Sequence, residues 1–302
     1  MPDPVAHGAP GLFDPLTLAK ITNLQLRARM VVEGYLTGLH RAHHKGSNVE
    51  FAEYLEYLPG DDPKHVDWKV YARSERYLIK QFEEETSLRT YLLIDGSASM
   101  GYGRGAMTKL TYAVTAAAAL AYLLLHQRDA VGLATFDAGV RSFVPARAQL
   151  SHLPVLAEAM VAMRPTGRTN LRAAVDMLAT EVKRRSLVIV LSDFLDESDD
   201  AIRALASLRR RHHEVLAIQI LDHDELTFPF DHLTRFESLE DDRFAQADPL
   251  AIRDEYLREL ARFLDRVRAG FAAERMDYVR FDTLDPLDRV LTAYLARRER
   301  RS

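Results

Sequence analysis

Residues 87–101 read SLRTYLLIDGSASMG, an apolar run that stops at one carboxylate and two hydroxyls. Thr90 to Ile94 is short, apolar and partly β-branched or aromatic, which predicts a buried strand, with Gly96 making the turn at its end. Asp95, Ser97 and Ser99 then fall in a loop at the strand's C-terminal edge. In an open parallel sheet that edge is where ligands bind, because strand ends and helix N-termini converge there on a crevice.

One carboxylate and two hydroxyls at alternate positions of a tight loop present hard oxygens toward one point, a set suited to Mg²⁺ or Mn²⁺ and not to a soft metal. A single carboxylate leaves most of the ion's charge unneutralised. Such an ion keeps waters or an open position and attracts a further carboxylate from a substrate or another protein. Asp and Ser also make turns by bonding their own backbone, so the loop needs partners elsewhere in the chain. Two stretches supply them. PTGRTNL at 165–171 is a Gly-containing loop opening a helix, with Thr169 offering a hydroxyl and Asn170 a cap; LVIVLSDF at 187–194 is a second apolar strand ending in an acid, Asp193. Asp95, Ser97, Ser99, Thr169 and Asp193 together resemble the metal-ion-dependent adhesion site of the von Willebrand factor A fold. The resemblance implies that the first four ligate directly or through water, while Asp193 ligates or orients a water.

With 302 residues and 47% hydrophobic content, the composition fits one α/β domain plus an appendage. A net charge of −4 leaves no electrostatic footprint for nucleic acid. The absence of cysteine excludes disulfides and thiolate metal sites. MPDPVAHGAPGLFDP at the start has neither the basic residues nor the apolar core of a signal peptide. The longest apolar stretch, Ala113 to Leu125, is shorter than the ~20 residues a bilayer requires and reads as a buried helix, not a membrane span. A cytoplasmic protein is expected.

Residues 1–15, rich in Pro and Gly, read as a flexible lead-in, followed by an N-terminal lobe over 16–86. Within it, Leu18, Ile21, Leu24, Leu26, Val31, Val32 and Leu36 are spaced as the apolar side of a helix broken near Gly34. His40, His43 and His44 follow at helical spacing; without a carboxylate partner they read as solvated surface and not as a zinc site. Residues 49–86 are denser in signal. Pro59, Gly60, Asp61 and Asp62 make a turn, and an apolar segment resumes around Trp68, the sole tryptophan. The plain reading makes Trp68 a buried anchor, Asp61 and Asp62 acceptors for turn amides, and Arg73 a partner for some carboxylate. The functional one places Asp61, Asp62, Asp67, Trp68 and Arg73 on a partner-binding surface beside the metal edge.

Here the resemblance sharpens. YLPGDDPKHVDWKVYAR, followed by EEE and LIDGSASM, is similar to the bacterial family catalogued as domain of unknown function 58, in which such a block precedes a von Willebrand A domain. The chain carries Tyr57, Pro59, Gly60, Asp61, Asp62, Asp67, Trp68, Ala72 and Arg73 of that block. It departs from it at Leu55, Lys64 and Val66, where the family commonly has arginine, arginine and isoleucine. The similarity extends from about Gly38 to Arg298. Members are often associated with MoxR-type AAA+ ATPases, so the resemblance implies an adaptor role in assembling or remodelling a protein complex.

The remainder, 87–302, predicts a doubly wound, mainly parallel α/β sheet of von Willebrand A or Rossmann-like type. GYGRGA at 101–106 matches a dinucleotide fingerprint in letters only. Its glycines begin past the strand end, and no acid follows about 20 residues on at the close of a second strand. A nearly all-apolar helix is expected over 107–126, then a strand 130–136 with a hairpin partner at 141–144 and a helix 151–163. Helix 171–183, strand 187–193, helix 198–212 and strand 214–221 continue the alternation. The crevice between the first strand and the one ending at Asp193 is then the switch point where all five proposed ligands meet. Residues 222–249 interrupt the rhythm. Glu225, Glu237, Glu240, Asp241 and Asp242 there form no calcium loop, and a hairpin with a solvated acidic face is expected. A helix 250–274, a strand 278–281 and a helix 286–298 finish the domain, and the terminal ARRERR is read as solvated cations at a helix C-terminus.

The expected function is a non-enzymatic protein-binding module in which Mg²⁺ or Mn²⁺ takes an acidic side chain of a partner as its last ligand. The competing reading is a Mg²⁺-dependent phosphoester hydrolase with Asp95 or Ser97 as nucleophile and Arg104 and Arg168 as anion clamp. It lacks a general base, since no histidine or lysine accompanies the loops within the motifs. A third is an interaction domain whose pocket stays metal-free.

Overall fold

The computed structural model describes residues 22–32, 54–56, 71, 78–80, 89–104, 107–195, 198–239 and 243–299. The chain divides into two compact units, Met1–Thr37 with Leu88–Ser302, and Gly38–Ser87. Among the described residues, the first element of the larger unit is helix α1 (22–32). In the smaller, β1 (Tyr54–Glu56) pairs antiparallel with β2 (Leu78–Lys80). Asp61, Asp62, Asp67, Trp68 and Arg73, assigned above to a partner surface, lie outside the described residues, as do His40, His43 and His44.

In the larger unit the chain continues with β3 (Arg89–Asp95), the two-residue pair β4 (Gly103–Arg104) and β5 (Met107–Thr108), α2 (Lys109–His126), β6 (Ala130–Phe136), β7 (Val140–Arg147), α3 (Leu153–Val161) and α4 (Leu171–Glu181). After these come β8 (Leu187–Ser192), α5 (Ser198–Arg210), β9 (Glu214–Leu221), α6 (His223–Thr227), the hairpin β10 (Thr234–Glu237) and β11 (Phe244–Ala247), α7 (Pro249–Ala273), β12 (Asp277–Asp282) and α8 (Asp288–Glu299). Six strands form one sheet in the order β12–β9–β8–β3–β6–β7, parallel except for β7, which runs antiparallel to β6 at the edge. This is a doubly wound, von Willebrand A-like α/β arrangement. The chain starts in the middle of the sheet, goes one way through β6 and β7, then returns to the other side of β3 with β8. The crevice of a doubly wound sheet therefore lies between the ends of β3 and β8.

Strand periodicity explains both layers. Alternate residues of a strand face opposite sides. Leu92 and Ile94 join Leu133, Ile189, Leu191 and Ile218 on one face, under α1, α2, α3 and α8. Tyr91 and Leu93 join Val188, Val190 and Ala217 on the other, under α4, α5 and α7. Both faces of β3, β6 and β8 are buried, hence their continuous apolar composition. Helix α2 is long and apolar enough to cross a membrane by length and composition, yet 78% of it is buried inside the fold, as a core helix is. Leu120 and Leu124 are wholly buried there, and each contributes about 1.5–3 kcal/mol.

Two expectations need adjusting. Helix α1 packs Leu24, Ala28 and Val32 into the core under the sheet instead of belonging to the lobe, and Leu26, expected on its apolar side, is 53% exposed. The segment 222–249 is not simply a hairpin with a solvated acidic face. It opens with α6, whose Glu225 turns inward.

Candidate functional site

Three loops meet at the C-terminal edge of β3. The peptide N–H of Gly96 donates to the carbonyl of Phe136 at 2.7 Å, that of Ala98 to Gly167 at 2.8 Å, and that of Thr166 to Gly96 at 2.9 Å. These bonds tie the loop after β3 to the end of β6 and to the loop before α4. Gly167 takes φ +64° there, a conformation that side-chain-bearing residues rarely adopt. Gly96 is tightly enclosed: a Cβ on it would stand 3.1 Å from the Met163 methyl and 3.4 Å from the Phe136 carbonyl oxygen.

Asp95 is the hub of this edge and is wholly buried. Its Oδ1 accepts the Ser97 peptide N–H at 2.8 Å. Its Oδ2 accepts the hydroxyls of Thr169 at 2.9 Å and Ser192 at 2.7 Å. The hydroxyls of Ser97 and Ser99 lie 3.2 Å apart. Asp95, Ser97, Ser99 and Thr169 are thus one cluster of hard oxygens, joined by Ser192, a residue the sequence reading did not single out. Among the described residues no group of three or more His, Cys, Asp or Glu could hold a metal ion; the donors here are mostly hydroxyls, which suit Mg²⁺ or Mn²⁺. Burial, together with the nearby Asp193 carboxylate, pushes the Asp95 carboxyl up to about 6 despite its hydrogen bonds from Ser192 and Ser97.

Asp193 is placed differently. It follows β8 immediately, and the next residue, Phe194, turns through the left-handed region at φ 52° while its ring packs edge-on against Phe271. The Asp193 Oδ1 accepts the Leu195 N–H at 3.2 Å, and its Oδ2 accepts from Lys109 Nζ at 2.8 Å. Lys109 also donates to Glu225 Oε1 at 2.7 Å. This lysine is wholly buried at the first residue of α2. Burial works against its charge, but the carboxylates of Asp193 and Glu225 outweigh that and hold the ammonium above its ordinary range. Glu225 remains above the usual carboxylate range because burial exceeds the help it receives from Lys109. No lysine lies within the loop motifs themselves, but one reaches Asp193 from the helix that follows the first loop. It is committed to two acids and is not free to clamp an anion.

Two clefts flank the cluster. One of about 320 Å³ is lined by Thr169 and Ser192 with Arg168 and Asp200 on its wall. The other, of about 430 Å³, runs from Ser99 and Tyr102 to the segment 222–249. There Phe228 packs against Phe230 edge-on, against Phe236 face to face and against Tyr256 at a tilt, and Phe230 meets Phe236 edge-on, with centroids 4.5–5.6 Å apart. Within GYGRGA, Gly103 and Arg104 form β4, which pairs antiparallel with β5 ahead of α2.

The family model described as "Protein of unknown function DUF58" matches residues 53–264. An uncharacterised protein of Mycobacterium tuberculosis is 32% identical over 219 residues, which are 72% of this chain and 68% of the relative. Among solved structures, a conserved hypothetical protein, BatB, from Bacteroides thetaiotaomicron aligns with a TM-score of 0.47 at 12% identity over 70% of this chain and 98% of that one. The SpRpn10 VWA domain aligns with a TM-score of 0.39 at 12% identity over 68% of this chain and 93% of that one.

Proposed function

The chain belongs to the DUF58 family of proteins of unknown function, and from that premise we propose that it is a non-enzymatic, metal-ion-dependent protein-binding module. Asp95, Ser97, Ser99 and Thr169 would hold a Mg²⁺ or Mn²⁺ ion, with Asp193 beside them. The bound ion would supply an under-neutralised positive end for an acidic side chain of the partner.

The observation that carries this reading is the Thr169 hydroxyl standing 2.9 Å from Asp95, although 74 residues separate them. Charge supports it as well. Asp95, Asp193 and Glu225 against the single ammonium of Lys109 leave two negative charges when all are ionised, the charge of one divalent ion. The aromatic cleft beginning at Ser99 offers apolar surface next to that point, as a protein-binding face requires.

The family resemblance suggests a MoxR-type AAA+ ATPase as partner, in a cytoplasmic setting. The hydrolase alternative gains nothing from Lys109, which is wholly buried between two acids. Capture of a purified MoxR-type ATPase by the full chain, in magnesium and in chelator, tests the proposal. Binding that needs magnesium and is lost in Asp95→Ala is expected; equal capture in chelator contradicts it.

A further inference from the structure

Lys109 sits where a cation is least expected. The first residue of a helix lies at the positive end of its dipole, and the side chain is wholly buried. A buried ion pair is rarely more stable than an apolar pair of similar volume, so fold stability alone does not account for a lysine here. Its two partners come from separate parts of the chain, Asp193 from the end of β8 and Glu225 from α6.

Both oxygens of each acid are already used. Asp193 accepts the Leu195 N–H on Oδ1 and the ammonium on Oδ2. Glu225 accepts the Asp222 N–H on Oε2, within the capping box of α6, and the ammonium on Oε1. Asp95 differs, because two of its donors are the hydroxyls of Thr169 and Ser192. A hydroxyl can rotate and offer a lone pair to an incoming ion, whereas an ammonium has no lone pair to offer.

We infer that Lys109 is a built-in counter-cation that withholds Asp193 from the ion held at Asp95, so that the ion's shell is completed by the partner's carboxylate. This inference rests on the proposed ion site and specifies how its affinity is set. The ammonium would repel a divalent ion held at Asp95 while neutralising the acid that would otherwise bind it. Removing it strengthens ion binding by at least about tenfold, from the size of charge–charge terms at an effective dielectric near 20.

Titration calorimetry with MgCl₂ on the full chain tests this, using wild type, Lys109→Met/Glu225→Gln and Glu225→Gln. The double variant leaves fewer buried charges unpaired than Lys109→Met alone. Expected are Mg²⁺ binding at least tenfold tighter in the double variant, weaker binding in Glu225→Gln, and loss of the gain when Asp193→Asn is added. Binding in the double variant no tighter than wild type, or a gain that survives Asp193→Asn, overturns the inference while leaving the ion site standing. A silent wild type with a double variant that binds supports the role of the lysine and refutes a resident ion in the unaided protein. Silence in every variant overturns both. The single variant Glu225→Gln keeps Lys109 in place, so binding stronger than wild type there counts against the inference even where the double variant fails to fold.

Discussion

Replacing Asp95 by asparagine should make the metal-free protein more stable at neutral pH, although it removes the most connected side chain of the site. The carboxyl stands at about 6 in the folded protein against an ordinary 3.8, and a rise of roughly two pK units corresponds to about 3 kcal/mol. The sign follows from its direction. A carboxyl raised by folding contributes stability that is complete below about pH 4 and is lost as the pH passes 6, so at pH 7.5 the ionised group strains the fold. Asparagine keeps an oxygen for the Ser97 N–H, and the hydroxyls of Thr169 and Ser192 can rotate to accept from its amide. In chelator at pH 7.5 the variant should gain about 2–3 kcal/mol, or roughly 5–10 °C in Tm. The gain should shrink toward zero as the pH is lowered to 4. Added magnesium should raise the wild-type Tm and leave the variant unmoved. Urea and thermal melts across pH 4–8, with and without Mg²⁺, read all of this. A variant less stable than wild type at pH 7.5 in chelator, or one whose difference does not change with pH, would refute the reasoning.

Thr169→Val keeps the shape but removes one hydroxyl donor to Asp95; it should cost about 1 kcal/mol of stability and weaken Mg²⁺ binding at least tenfold by calorimetry. Gly132→Ala should destabilise by about 1–3 kcal/mol in urea melts, because a Cβ there would stand 2.5 Å from the Tyr91 ring and 2.9 Å from the Val144 carbonyl oxygen. His223, whose Nδ1 lies 2.7 Å from Asp282 Oδ2, is held above its ordinary 6.5 chiefly by that hydrogen bond. Its NMR titration midpoint should lie above 6.5 and fall in Asp282→Asn, and the pair's contribution should be present below pH 6.5 and fade as the pH rises through the shifted value.

Much of the sheet was legible because its signals are local. TYLLI and LVIVL are apolar throughout, as strands buried on both faces must be, and Asn170 caps α4 by accepting the Ala173 N–H at 3.1 Å, as its place in the loop suggested. The meeting of the loops after β3 and before α4 follows from the same alternation, since a doubly wound sheet brings strand ends together at its switch point. Lys109 was not legible. In TKLTYAV it reads as the polar start of an apolar helix, and its partners lie 84 and 116 residues away. One of those partners, Glu225, sits on α6, which belongs to a segment read as a solvated excursion. Ser192 did carry a signal: it is the one hydroxyl closing the apolar strand LVIVLS, and such a group at a switch point merits attention beside the acid that follows it. Leu26 shows the reverse error. Its place in an apolar series suggested burial, but the side of α1 that packs is set by Leu24, Ala28 and Val32, spaced four apart.

The account stands on a divalent ion held by the loop after β3. Crystals of the full chain grown with Mn²⁺, measured for anomalous scattering, test it most directly. The account predicts one peak within about 2.0–2.2 Å of oxygens from Asp95, Ser97, Ser99 or Thr169, with Lys109 still on Asp193; no peak at that edge, or a manganese bound only elsewhere, would contradict it.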